Sequence, residues 1–135
     1  MNNTNGEWTW NSTGYAIGDG SFIDTPIRAF TDTGASGLQL PGPVYKEYTA
    51  AANVTDDLTT PCDVRPPDFH IGIADTRITV DGEHIKYKNS DGSCYLSLRD
   101  GGNRTGVWGS PAMANYFVVF EDGAKGPRIG WAKSV

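Results

Sequence analysis

The sequence has no long apolar run, few sulfur-containing residues and no excess of positive charge. No segment approaches the ~20 consecutive apolar residues of a membrane-spanning helix, so the sequence predicts a soluble protein. With 16 acidic and 11 basic side chains, the formal net charge is −5. This charge argues against nucleic acid or a membrane as partner, because both require a basic surface. Residues 1–6 contain no apolar segment and predict no signal peptide.

Histidine is also scarce, and the two that are present do not predict a metal site. His70 and His84 have Asp68, Asp75 and Asp81 near them in the sequence, but no HxH or HExxH spacing joins them. The sequence also contains no glycine-rich phosphate loop and no Gly-x-Ser-x-Gly nucleophile motif. We therefore expect no metal and no other cofactor.

Cys62 and Cys94 form an even pair without the spacing of a zinc site. A disulfide between them would close a loop of about 33 residues and stabilise the fold by roughly 3–4 kcal/mol in the chain-entropy treatment. From the cysteine pattern alone, two buried free thiols remain the alternative.

Four Asn-x-Ser/Thr sequons occur, at Asn2, Asn11, Asn53 and Asn103. Such short motifs also arise by chance, but together with the cysteine pair they indicate a secreted ancestry. A starting Met without a leader, in a chain with secretory features, suggests an excised piece or an engineered sequence.

Short stretches in which apolar residues alternate with polar ones dominate the chain, as at Trp8 and Trp10. The 17 glycines and 8 prolines exceed the average combined usage of about 12%, and Asp-Gly steps separate the stretches. We predict further strands at Gly14–Ile17, Ser21–Ile23, Ile27–Thr31, Gly37–Leu40, Phe69–Ile73, Arg77–Val80, His84–Lys88, Cys94–Leu98, Tyr116–Glu121 and Arg128–Ala132. This pattern predicts an all-β fold, and the length predicts a single domain over residues 1–135.

Two helical segments are expected within this β pattern. Pro43 suits the first turn of a helix over residues 43–52, in which Val44, Tyr48 and one of the last two alanines form an apolar stripe. A second, shorter helical turn is predicted at residues 110–115.

The segment Ala29–Pro41 places a carboxylate where an apolar strand ends. Asp32 is followed by Thr33 and Gly34, and the glycine permits a tight backbone turn. Taken alone, Asp-Thr-Gly is also typical of an ordinary turn closed by an aspartate side chain.

This segment resembles the active-site loop of the pepsin family of aspartic endopeptidases, and the likeness covers most of the chain. Residues 7–22 resemble the entry strands of the C-terminal lobe in fungal members. The Leu40-Pro41 step, the following helix, the two cysteines, Val107-Trp108-Gly109 and the closing strands then come in the family's order. The resemblance implies one pepsin-like lobe of packed antiparallel sheets and a Cys62–Cys94 disulfide. It also implies that residues 107–109 thread behind the catalytic loop.

The resemblance further implies peptide-bond hydrolysis by two Asp residues, one from each lobe, that activate a water molecule. Two carboxylates a few Å apart cannot both ionise cheaply, so one acts as base and the other as acid. In this reading Asp32 supplies half of the dyad, the Thr33 hydroxyl clasps the opposite loop, and Gly34 and Ser36 belong to the site. The sequence contains a single Asp-Thr-Gly, so the N-terminal lobe is expected to be absent.

Several positions depart from the family's pattern. Ala35 replaces the usual Thr or Ser, Gly37 and Gln39 replace bulky apolar residues, and Ser110 replaces an Asp. Retroviral proteases also carry Asp-Thr-Gly-Ala and act as homodimers. Polar residues in place of apolar ones, on the face where a second lobe would dock, suit a lobe that stands alone in water. Redesign of an isolated lobe would produce this pattern.

Three functions remain open. We favour a monomeric lobe that carries Asp32 and has no turnover. The second is a homodimeric endopeptidase in which Asp32 and its symmetry mate cleave peptides. The third is a non-catalytic carbohydrate- or peptide-binding module with Trp8, Trp10 and Trp108 as an aromatic platform, although core packing is the commoner role for such residues.

Overall fold

The computed structural model describes residues 8–55, 57–123 and 126–134, with backbone alone for Trp8 and for residues 122–123 and 126–128. The opening residues 1–6, and with them the sequon at Asn2, lie outside the described residues. Within these ranges the elements are β1 (Trp8–Asn11), β2 (Tyr15–Ile17), β3 (Arg28–Thr31), β4 (Leu38–Leu40), α1 (Gly42–Ala52), β5 (Thr59–Thr60), β6 (Phe69–Ile73), β7 (Thr76–Val80), α2 (Gly82–Ile85), β8 (Lys86–Lys88), β9 (Cys94–Leu96), β10 (Leu98–Asp100), β11 (Gly106–Trp108), α3 (Ser110–Met113), β12 (Tyr116–Gly123) and β13 (Gly126–Lys133).

A five-stranded sheet in the order β1-β3-β11-β4-β10 carries the Asp-Thr-Gly segment. Its central strand, β11, pairs in parallel with β3 and antiparallel with β4. The strand that leads into the motif and the strand that leaves it are thus separated by a third strand from far along the chain. Smaller sheets have the orders β2-β6-β7, β5-β9-β8 and β12-β13. The predicted all-β class is confirmed.

The core contains aromatic side chains from two of these sheets and from α1. The ring centroids of Trp10 and Phe69 lie 6.5 and 6.0 Å from that of Trp108, and Tyr48 meets Phe69 edge-on at 6.2 Å. Trp10 Nε1 donates a hydrogen bond to Thr31 Oγ1 at 3.0 Å. Because Trp10 and Trp108 are buried, neither offers a ring face to a sugar, so the proposed aromatic platform is wrong for both.

The two predicted helical segments are present. Helix α1 begins one residue before the predicted start, buries Val44 and Tyr48, and ends at Asn53, which adopts the left-handed conformation (φ 57°). Helix α3 covers Ser110–Met113. In the described part of the chain, no helix has the length and apolar character needed to cross a membrane.

The strand predicted over residues 84–88 is wrong in its first half. The Asp81 side chain accepts a hydrogen bond from Glu83 N at 2.9 Å and caps helix α2, since a carboxylate there satisfies a free amide of the first turn. The strand therefore begins only at Lys86.

Two other predicted strands differ in extent. The segment from Cys94 to Leu98 divides into β9 and β10 at Ser97, whose N–H donates to Ile85 O (2.8 Å) and whose carbonyl accepts from Leu38 N (3.0 Å). Residues 21–23 contribute a single bridge between Tyr15 and Ile23 rather than a strand. In both places the chain changes hydrogen-bonding partner, which local periodicity does not reveal.

Cys62 and Cys94 form a disulfide with their Cα atoms 5.2 Å apart, which confirms the bridged alternative. It joins the segment after β5 to β9, next to the register pair Thr60 and Cys94. Lys86 supports the same segment, because its Nζ donates to the carbonyl oxygens of Cys62 (2.7 Å) and Val64 (3.1 Å).

Two of the residues considered as metal ligands, His70 and Asp68, have structural partners. His70 places Nδ1 2.9 Å from Thr79 Oγ1 and Nε2 3.1 Å from Gly18 O. Asp68 accepts hydrogen bonds from Gly82 N and from the Arg65 guanidinium. Both groups thus join loops to the β6–β7 hairpin. Across the part of the chain that is described, no three His, Cys, Asp or Glu side chains are grouped to hold a metal ion.

Asp68 is expected to make stability depend on pH in the acid range. Burial raises the pKa of its carboxyl, but hydrogen bonds from Gly82 N (2.9 Å) and Arg65 (3.0 Å) outweigh burial and hold the pKa below its ordinary value of 3.8. Because the folded-state pKa is lowered, this stabilisation is present above pH ~4 and is lost as the pH falls through the folded value. Asp68→Asn should therefore flatten the fall in urea midpoint between pH 5 and pH 2. Asp75→Asn, on an exposed turn, should leave that slope unchanged, and equal slopes in both variants would contradict the assignment.

Candidate active site

Asp32 is the first residue after β3. Two hydrogen bonds fix its position, one to strand β11 and one within its own loop. Its backbone N–H donates to Trp108 O at 3.0 Å, which continues the pairing of β3 with β11. Its Oδ1 accepts a hydrogen bond from Gly34 N at 2.9 Å. The aspartate turn expected from the bare motif therefore exists, and the half-buried carboxylate faces a groove.

Residues 107–109 lie directly beneath this loop. Ser110 N donates to Ala35 O at 2.8 Å, so the loop is hydrogen-bonded to the start of α3 as well as to Trp108. Between these two bonds Gly109 is buried, and a Cβ built on it would lie 2.7 Å from Ala35 O and closer still to Gly37 O. The absence of a side chain at Gly109 is what allows the loop to rest on β11.

The other predicted site residues lie on the outer side of the loop. Thr33, Gly34 and Ser36 are exposed. The Ser36 carbonyl accepts a hydrogen bond from Ser97 Oγ at 3.2 Å. Within the described residues the Thr33 hydroxyl has no hydrogen-bond partner, so it is available to a group outside this chain.

A groove of about 550 Å³ extends from Asp32 across the outer face of the five-stranded sheet. Register pairing aligns Phe30 with Val107, Val107 with Gln39, and Gln39 with Arg99, so these four residues form one row across four strands. Three inter-strand steps of about 4.8 Å make this row ~14 Å long. An extended peptide advances ~3.3 Å per residue, so the row matches the length of about four peptide residues.

The charges along this groove are few. Among the described residues that line it, Asp32 is the one carboxylate and Arg99 the one basic side chain. Gln39 donates from Nε2 to Thr105 O at 2.7 Å, which fixes its amide on the floor. A single carboxylate can hold a water molecule or take its proton, but it cannot be acid and base in the same step.

Sequence reasoning missed several residues of the groove, namely Phe30, Leu58, Tyr95 and Arg99. Phe30 stands two residues before Asp32 and was read simply as part of an apolar strand. Arg99 and Tyr95 come from strands more than 60 positions further along the chain. The alternation of Phe30 with the buried Ala29 and Thr31 is the one local signal that marks an outward-facing apolar residue.

Comparison with known proteins matches almost the whole chain to one family. A family model described as eukaryotic aspartyl protease matches residues 1–134. Endothiapepsin of Cryphonectria parasitica is 33% identical over 94% of this chain and 32% of its own length. Podosporapepsin of Podospora anserina is 32% identical over the same shares, and penicillopepsin-3 of Penicillium janthinellum is 28% identical over 98% and 36%. The chain thus spans about a third of the length of the curated relatives it matches.

Proposed function

The chain belongs to the eukaryotic aspartyl protease family, and from that premise we propose that it supplies one half of an aspartic endopeptidase site, with Asp32 as one of two carboxylates. The observation that carries this proposal is the position of Asp32. The carboxylate lines a groove as long as a short peptide, on a loop bound to β11 and α3.

In such a site Asp32 holds a water molecule against the scissile carbonyl and exchanges protons with a second carboxylate. Like charges at close range share one proton, so one group takes the proton of the water while the other protonates the carbonyl oxygen. The exposed Thr33 hydroxyl is placed to bind the loop that carries the second carboxylate. The groove floor of Phe30, Val107 and Gln39 would hold the peptide extended.

Alone, this lobe should bind without turnover. The described residues of the groove lining include one carboxylate. The missing proton donor costs about two to four orders of magnitude in rate for general acid–base catalysis. We accordingly propose a secreted-type, monomeric lobe that needs a second carboxylate from another polypeptide segment or from a second copy before it cleaves peptides. The disulfide supports an oxidising compartment.

The test is pepstatin-sensitive cleavage of a fluorogenic peptide at pH 4, measured over a hundredfold range of protein concentration. Asp32→Asn serves as the control, since it keeps an oxygen acceptor for Gly34 N but removes the ionisable group. We expect no cleavage by either protein, together with pepstatin-dependent shifts of the groove amides in an NMR titration of the unmodified chain.

Two results would overturn the proposal in different ways. Cleavage that rises more steeply than linearly with concentration and disappears in Asp32→Asn would establish a homodimeric endopeptidase instead. Cleavage that Asp32→Asn retains, or an absence of pepstatin-dependent shifts, would show that Asp32 does not mark the binding site.

A further inference from the structure

A second hollow, of about 330 Å³, shares no residue with the groove at Asp32. Pro26, Pro41, Pro43 and Arg28 are among the residues that line it. The proposed peptidase site makes no use of this hollow. Asn103, the acceptor of the Asn-Arg-Thr sequon, lies among its lining residues.

From this arrangement we infer that Asn103 carries an N-linked glycan whose first N-acetylglucosamine residue lies in the hollow beside it. The sequon provides the covalent attachment, and the hollow provides the surface that the first sugar covers. This inference is independent of the role of Asp32.

The turn that bears Asn103 is held by hydrogen bonds on both sides of the acceptor. Gly102 N donates to Asp100 Oδ1 at 2.9 Å, and the Arg104 guanidinium folds back to the carbonyl oxygens of Gly101 (3.2 Å) and Asp100 (3.3 Å). Asn103 itself is exposed. A transferase can therefore reach the amide, while the attached sugar starts from a defined point on the surface.

Attachment of an N-linked glycan requires the secretory pathway, and the disulfide indicates the same compartment. The Cys62–Cys94 bridge is typical of proteins that fold in the secretory pathway, where a lipid-pyrophosphate-linked oligosaccharide is the sugar donor. Asn103 Nδ2 attacks the anomeric carbon, the bond from that carbon to the pyrophosphate oxygen breaks, and the amide loses one proton. The lipid pyrophosphate leaves with the electron pair, so no oxidant or reductant is needed.

Physical complementarity favours the hollow as the seat of the first sugar. A pyranose ring has C–H faces, and covering them with proline rings removes apolar surface from water. The Arg28 guanidinium has five N–H donors and no acceptor, which suits the carbonyl of the sugar's acetamido group.

The remaining described sequons offer a matched comparison. Asn53 is exposed at the end of α1, and Asn11 is exposed on β1. Neither residue lines the hollow or the groove. A glycan on Asn11 would share the covalent chemistry of one on Asn103 without a surface to cover.

The experiment is secretion of the full chain from yeast, followed by peptide mass spectrometry after enzymatic glycan release in heavy-oxygen water. We expect Asn103 to be converted to labelled aspartate in most molecules. Trimming the glycans to one N-acetylglucosamine should leave a protein that melts about 3 °C above Asn103→Gln, a shift typical of a modest added stabilisation. Asn11→Gln, which removes an exposed sequon on β1, should not lower the melting temperature in the same way.

A third variant distinguishes the contact between the first sugar and the hollow from the covalent attachment of the glycan to Asn103. Pro26→Ala removes one wall of the hollow at an exposed position and should leave Asn103 glycosylated while shrinking the melting difference. An unmodified Asn103 would overturn the inference. So would a modified Asn103 with no gain in melting temperature, because the hollow would then have no part in holding the sugar.

Discussion

Replacing Cys62 and Cys94 together by alanine should lower the free energy of unfolding by about 3–4 kcal/mol. The bridge joins residues 32 positions apart, and without it the unfolded chain regains the conformational freedom of that loop. Total stabilities of small domains are about 5–15 kcal/mol, so this one bond accounts for a large fraction. The loss should be measured as a fall in the free energy of unfolding from guanidinium denaturation, with a slope at least as steep as that of the oxidised protein, because the unfolded chain is no longer cross-linked.

The matched control for this prediction is the unmodified protein with its disulfide reduced. Reduced wild type and the double alanine variant share the same open loop, so their unfolding curves should coincide. A double variant as stable as the oxidised protein would contradict the prediction. It would mean that the Lys86 contacts to the Cys62 and Val64 carbonyls hold the segment without help from the bridge.

The elements that local chemistry determines could be predicted from the sequence. Helix α1 follows from Pro43 at its first turn and from the stripe that contains Val44 and Tyr48. The Asp32 turn follows from a carboxylate two residues before a glycine, and the structure shows the expected Oδ1 bond to Gly34 N. The cysteine spacing alone leaves two alternatives, a disulfide or two free thiols. The family resemblance favours the disulfide between Cys62 and Cys94, which the structure contains.

The groove could not be predicted in the same way, because its floor depends on pairing between distant strands. Val107 lies between Phe30 and Gln39, yet it is 77 positions after Phe30 and 68 after Gln39 in the sequence. No local pattern specifies such a register. The strand β11 is three residues long, too short for periodicity to mark it, and its outward-facing valine looks like any other strand valine.

The last prediction concerns the contact between this distant strand and the Asp32 loop. Gly109→Ala should lower the free energy of unfolding by about 3 kcal/mol, since overpacking against backbone leaves no flexible side chain to move aside. The added methyl group would lie 2.7 Å from Ala35 O and closer to Gly37 O. Gly109 has φ −84°, a value that alanine adopts freely, so the whole cost is steric.

Gly130→Ala is the matched control, because Gly130 is exposed on β13 and a Cβ there would meet nothing nearer than Val119 Cβ at 4.0 Å. Chemical denaturation should show a large loss for Gly109→Ala and almost none for Gly130→Ala. Backbone amide shifts should also change at residues 32–37 in the first variant, as the loop moves off β11. If both variants were equally stable and the Asp32 loop kept its shifts, the loop would be held by its own turn and not by β11. Loss of stability together with displaced amides would instead show that packing beneath Ala35 and Gly37 sets where the Asp32 carboxylate meets the groove.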